Sequence, residues 1–221
     1  MITLHHCPQT RSMRVLWLLE ELEVDFQVVP YPFDKSLRAP SFLSLSPAGR
    51  VPALEMYGET YFESIAIMQI LCERFPERGL GREPRDLDRP DWLVWLNFAE
   101  TITQHSVALT QQHVALYDDS MRSRTVMKLE AARLEKCYAA IENRLSTPVE
   151  NRYHLLTSGF SAADIAVGQA VYLARFFAKT DEYPELSAWY DRITDRPAFR
   201  KALPPKEAGV YSRDFYPAWD E

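Results

Sequence analysis

Two short stretches carry residue types able to hold and activate a small polar molecule. The first is Gly49-Arg50-Val51-Pro52-Ala53-Leu54, followed by Tyr61-Phe62-Glu63-Ser64-Ile65-Ala66-Ile67. An apolar, helix-like run begins at Glu63-Ser64, so an acid and a hydroxyl meet the free N–H groups of a helix N-terminus. Such a corner suits a zwitterion. The N–H and hydroxyl donors take a carboxylate, and the acid takes an ammonium. Taken alone, the pair reads first as a helix cap with an acid complementing the helix dipole. Joined to Arg50-Val51-Pro52 at this distance, it points to a ligand. The second stretch is Cys7-Pro8-Gln9-Thr10-Arg11-Ser12-Met13-Arg14. A thiol, two hydroxyls and two arginines stand just ahead of the apolar run 15–22, where a helix start can stabilise a thiolate or another anion.

The elements that must position these residues follow from pattern. Residues 2–6 form a strand that Pro8 ends. Residues 15–22 are strongly apolar, with Glu20 and Glu21 on the wet side, and make a mostly buried helix starting near Thr10 to Ser12. Residues 25–29 make a second strand, ended by Pro30 and Pro32. Residues 36–44 form a short helix made irregular by Pro40. Strands at 53–56 and 60–62 flank a reversal at Gly58 and lead into the Glu63-Ser64 helix. The Val51-Pro52 bond is one where a cis peptide is cheap enough to turn a backbone edge toward a ligand.

Residues 76–90 hold three prolines, two glycines and eight charged residues, which marks a linker. Everything after Pro90 reads as helix. Trp92, Trp95, Leu96, Ala99 and Ile102 keep a 3.6 period, as do Val126, Leu129, Ala132, Leu134, Tyr138 and Ile141. Ser161-Ala162-Ala163-Asp164 is a capping box with Phe160 and Ile165 at the staple positions. Residues 184–194 and 197–203 finish the bundle. The tail carries Tyr211, Phe215, Tyr216 and Trp219, which either lid an apolar pocket or pack on the bundle.

The first stretch resembles the glutathione-binding segment of the glutathione transferases, whose motif runs Gly-Lys-Val-Pro-x-Leu and then Glu-Ser-x-Ala-Ile. Arg50 replaces the Lys and keeps the cation with a different reach. The resemblance implies that Arg50, Val51, Pro52, Glu63 and Ser64 bind glutathione and that the Val51-Pro52 bond is cis. The Val backbone would pair with the cysteinyl part, and the Glu-Ser pair would hold the γ-glutamyl end. It implies an α+β thioredoxin-like N-terminal domain (1–77) followed by an all-α helical bundle (90–221) lining the pocket for a small hydrophobic electrophile. It also implies a homodimer and a role in detoxification.

The second stretch resembles two groups within that superfamily. In one, a Cys-Pro or Ser-Pro stands seven residues before an Arg, as Cys7 does before Arg14. In a fungal and bacterial group the motif is Ser-Arg-x-x-Arg-x-Leu-Trp-Leu-Leu, which Thr10-Arg11-Ser12-Met13-Arg14-Val15-Leu16-Trp17-Leu18-Leu19 follows with Thr for Ser. The second group implies Thr10 as the thiolate donor with Arg11 as electrostatic helper. Cys7 is next, and Ser12 is third, as a hydroxyl suited to capping the helix. Were Cys7 a redox nucleophile, the helix start and Arg11 would depress its pKa. The protein would then be a glutathione-dependent reductase or peroxidase. A transferase-like binding or regulatory protein without catalysis is the remaining alternative. For Cys7, a half-buried thiol at a strand end is an equally good reading.

Bulk properties agree with a soluble, cytoplasmic chain. A net charge of −6 and 31 acidic against 25 basic residues argue against nucleic acid as a partner. No apolar run approaches the ~20 residues of a membrane span, and the N-terminus lacks the basic start of a signal peptide. Cys7, Cys72 and Cys137 are odd in number and far apart, so neither a disulfide framework nor a metal site is expected. Cys72 and Cys137 fall on apolar helix faces. His5 and His6 are adjacent and point to opposite faces of a strand, which makes a poor metal pair. His105, His113 and His154 lack a partner at ligand spacing.

Overall fold

The computed structural model describes residues 1–147, 153–205, 208–211 and 213–217. By their contacts they divide into two compact units, Met1–Arg89 with Thr194–Val210, and Pro90–Ile193 with Tyr211–Glu221.

The first unit is built on β1 (Ile2–His6). Ile2, Leu4, His5 and His6 are all buried, so both faces of this strand are covered. That fits the middle of a sheet rather than its edge. α1 (Ser12–Leu22) follows and buries Met13, Val15, Trp17, Leu18, Leu19 and Leu22. The chain then lays β2 (Phe26–Pro30) parallel to β1, with Ile2 opposite Phe26 and His6 opposite Pro30. β2 is an edge strand, and its Val28 and Val29 are exposed.

Pro40 splits the next segment, expected as one helix, into a 3₁₀ turn (Lys35–Arg38) and the short α2 (Pro40–Leu43). A residue before proline is pushed out of the helical region, and Ala39 is extended at φ −66°, ψ 144°. β3 (Ala53–Met56) pairs antiparallel to β1, and β4 (Glu59–Phe62) pairs antiparallel to β3. Among the described residues the sheet has four strands in the order β2-β1-β3-β4. α3 (Ser64–Arg74) leaves β4 directly.

The second unit is helical. α4 (Arg89–Thr110) continues into a π-helical turn (Gln111–Ala115). α5 (Arg124–Ser146), α6 (Ala162–Ala174) and α7 (Pro184–Thr194) complete it. On α5 the buried stripe is Met127, Ala131, Leu134, Tyr138, Ile141 and Leu145. Val126, Leu129 and Ala132, assigned by period to that face, are exposed. The 3.6-residue period holds, but at the start of the helix its phase is set one to two residues later by Met127 and Ala131.

His105 Nδ1 lies 2.7 Å from Glu130 Oε2 between α4 and α5, so this histidine ties two helices together. Tyr211 stacks on Phe176 with ring centroids 4.7 Å apart, and Phe215 stacks on Phe177 at 5.6 Å. These tail aromatics pack on the bundle. Trp219 lies outside the described residues.

One helix changes place relative to the sequence reading. α8 (Pro197–Ala202), expected to finish the bundle, packs on α1 in the first unit. Phe199 meets Trp17 edge-on at 4.8 Å. Arg196 grips both carboxylate oxygens of Glu21 at 2.6 Å each. Glu21, placed on the wet side by periodicity, is therefore covered, with 7% of its side chain exposed.

Candidate functional site

The first unit has a cleft of about 280 Å³ lined by Arg11, Ser46, Ala48, Arg50, Val51, Pro52, Glu63 and Ser64. Six of these come from the two stretches singled out above, and the fold explains why they meet. β3 begins at Ala53, so Val51 and Pro52 stand just outside the ladder. The Val51-Pro52 bond is cis. Gly49 has φ +60°, and a Cβ there would meet the Leu37 carbonyl oxygen at 3.0 Å. Only glycine makes that turn without a shift, and the turn brings Arg50 to the rim.

Ser46 and Ala48 were not singled out by sequence. Ser46 is buried, and its hydroxyl donates to the Arg50 carbonyl oxygen at 2.7 Å. The Gly49 N–H returns to the Ser46 carbonyl at 2.8 Å. A serine opening a Pro-Ala-Gly turn is the signal that could have found it.

Glu63 caps α3 with φ +71°, a region that residues other than glycine enter at a cost of order 1–3 kcal/mol. Holding an acid in that conformation is the sort of strain found where a side chain must be presented. Glu63 and Arg50 are exposed, while Ser64 is buried at 4% exposure at the first position of the helix. Beneath Ser64 lies Arg14, whose Nη1 donates to its Oγ at 3.4 Å.

Thr10, Ser12 and Cys7 do not line this cleft; Arg11, next to Thr10, does. Thr10 is half-buried, and its hydroxyl donates to the Cys7 carbonyl at 2.7 Å and lies 2.9 Å from Ser12 Oγ. Ser12 is fully buried and binds inward. Its Oγ lies 2.8 Å from His6 Nδ1, donates to the Cys7 carbonyl at 3.1 Å and accepts from the Cys7 N–H at 3.1 Å. Arg11, at the cap position of α1, makes no side-chain cap bond, and the Ser12 N–H donates to Thr10 Oγ1 at 3.3 Å. The expected cap is instead a tie between the end of β1 and α1. Burial pushes His6 down to about 4, a hydrogen bond with Ser12 opposing it, so His6 is neutral at pH 7.

Cys7 is a different object from the one a redox role requires. It is 0% exposed in an apolar cluster with Leu37, Phe42 and Val51. Burial, helped by the charge on Asp34, pushes its thiol up to about 11 rather than down. Arg11 and the helix start do not overcome the loss of solvation. Cys72 and Cys137 are also buried, and burial raises them to about 12 and about 11. A thiol reagent applied to the folded protein at pH 7–8 should therefore find almost no reactive cysteine. After unfolding in denaturant it should find all three cysteines. Stoichiometric labelling of Cys7 in the folded state would contradict this burial.

Among the described residues, no group of three or more His, Cys, Asp or Glu is arranged to hold a metal ion. No helix among them is long and apolar enough to cross a membrane. His5 is engaged by Glu55 at 2.8 Å and Tyr31 at 3.0 Å.

Residues 1–72 match the glutathione S-transferase N-terminal domain, and residues 111–192 match the glutathione S-transferase C-terminal domain. Over 204 residues the chain is 30% identical to glutathione S-transferase F6 of Arabidopsis thaliana, covering 90% of this chain and 96% of that protein. It is 25% identical over 209 residues to glutathione S-transferase 3 of Schizosaccharomyces pombe, covering 91% and 86%. A sphingomonad glutathione S-transferase solved in complex with glutathione is 27% identical, with a TM-score of 0.75 over 91% of this chain and 96% of that one. With both family domains in order, and a relative matched along nine-tenths of its length, the chain belongs to the glutathione S-transferase family.

Proposed function

We propose that the chain binds glutathione in the cleft of the first unit and passes its thiolate to small hydrophobic electrophiles, a detoxifying conjugation. The observation that carries this reading is the convergence of Arg11, Arg50, Val51, Pro52, Glu63 and Ser64 on one cleft. Glutathione has two carboxylates, one ammonium and one thiol. Glu63 suits the ammonium. Ser64 and the N-terminus of α3 suit the neighbouring carboxylate. Arg50 suits the second carboxylate, and the Val51 backbone suits the cysteinyl amide. Thr10, with Arg11, is the proposed stabiliser of the thiolate at the start of α1. The glutathione-bound sphingomonad relative supports the choice of ligand. The chemistry asks for no metal, because the protein need only bind, orient and lower the thiol's pKa. A homodimer in the cytoplasm is part of the proposal. Light scattering should then give about twice the 25.6 kDa chain mass.

The rival reading, disulfide or peroxide reduction at Cys7, is opposed by the burial and raised pKa of that thiol. A non-catalytic binding protein is separated by assay of conjugation itself. The binding half of the proposal is tested by Glu63→Ala. Glu63 is exposed, so its contact with an ammonium is screened, and its loss should weaken glutathione binding roughly tenfold. The fold should be untouched. Unchanged affinity in a folded Glu63→Ala protein would put the site elsewhere.

A further inference from the structure

Arg14 belongs to the stretch that frames the proposed thiolate site, yet it does not line the cleft. It is 0% exposed, an unusual place for a guanidinium, which almost never goes fully inside without a job for its donors. From α1 it reaches across to α3, where Nη1 donates to Ser64 Oγ at 3.4 Å. Among the described residues this is the hydrogen bond that the Ser64 side chain makes.

The polarity of that bond decides what Ser64 can do. A guanidinium has donors and no acceptor, while a hydroxyl has one proton and two lone pairs. Ser64 must therefore accept from Arg14, and its own proton is left for another acceptor. Ser64 also lines the cleft and opens α3, where backbone N–H groups point the same way. We propose that Arg14 is a positioning residue: it holds Ser64 as a donor toward the cleft and makes this end of the cleft selective for a carboxylate. The positive charge beneath, buried in a low-dielectric environment, acts in the same direction. The proposal rests on the glutathione reading and adds a residue to it. Arg14 touches neither the thiol nor the electrophile, so it should affect ground-state binding and not the chemical step.

The test is a double-mutant cycle on glutathione affinity and on KM. Arg14→Lys keeps the charge but shortens the reach, and the Ser64→Ala background separates the bond to Ser64 from the other contacts of Arg14. Arg14→Lys should raise Kd and the KM for glutathione roughly fivefold, with kcat at saturating glutathione near wild type. In a Ser64→Ala background the same change should add almost nothing, because the group it acts through is gone. Arg14→Met, which removes the charge as well, should weaken binding further. Should Arg14→Met fail to fold, the Arg14→Lys cycle carries the test by itself, with thermal unfolding as the control. Wild-type affinity in Arg14→Lys would overturn the proposal, and so would penalties that multiply in the double variant. A fall in kcat with KM unchanged would overturn it as well. A wild-type protein that does not bind glutathione removes the carboxylate reading and this proposal together. An additive cycle in a protein that does bind it removes only the role of Arg14.

Discussion

Thr10→Ala should lower the rate of glutathione conjugation roughly 10²–10³-fold, the usual loss when one anion-stabilising donor is removed. The Thr10 proton is spent on the Cys7 carbonyl at 2.7 Å. That bond is neutral. A bond to a thiolate is charge-assisted and stronger, so an arriving anion can draw the hydroxyl away. The Cys7 carbonyl is not orphaned by the change, because Ser12 Oγ is also placed to donate to it at 3.1 Å. Thr10→Ser keeps the hydroxyl and should be mild. Cys7→Ala should leave the rate near wild type, since Cys7 is fully buried and its thiol is raised to about 11. The readout is kcat/KM with a chromogenic electrophile, together with the pKa of bound glutathione from thiolate absorbance. In Thr10→Ala that pKa should rise. Conjugation lost in Cys7→Ala and kept in Thr10→Ala would move the reaction to the thiol.

The largest loss of stability should come from a residue outside the cleft. Asp164 is 0% exposed at the start of α6. Its Oδ1 accepts from the Leu155 N–H at 3.0 Å and from Trp189 Nε1 at 2.9 Å, and its Oδ2 accepts from the Ser161 N–H at 3.0 Å. Ser161 Oγ in turn accepts from the Ala163 N–H at 3.2 Å, closing the capping box. Burial raises the Asp164 pKa, while these bonds and the nearby His154 hold it down. One carboxylate thus joins the segment before α6, the helix start and α7. Asp164→Ala removes the acceptor of four buried donors, the Leu155 and Ser161 N–H groups, Trp189 Nε1 and the Ser161 hydroxyl at 3.4 Å, and should cost about 3–5 kcal/mol, measured by urea or thermal unfolding. Asp164→Asn keeps one acceptor oxygen and should fall between. A loss below about 1 kcal/mol in Asp164→Ala would mean that other groups, or water, satisfy those donors.

The capping box was legible because it is local. Its residues are neighbours in sequence and its geometry is that of any helix start. The same holds for the Glu63-Ser64 helix start, for Pro52, and for the break at Pro40, where proline chemistry acts on the adjacent residue. The alternation of strands and helices in the first 75 residues was legible for a related reason: short apolar or β-branched runs mark the elements, and Pro8, Pro30, Pro40 and Gly58 punctuate them.

What the tertiary structure decided depends on partners distant in sequence. Glu21 looks solvated by its helix period, until Arg196, 175 residues on, covers it. α8 follows the bundle in sequence yet packs on α1, because Trp17 offers Phe199 an aromatic face. Ser46 enters the cleft only through the turn that folds it onto the Arg50 carbonyl. Cys7 has the spacing of a catalytic thiol, but spacing does not report solvation. The packing of Leu37, Phe42 and Val51 around its sulfur removes water from the thiolate, and that cost outweighs the cation and helix start beside it.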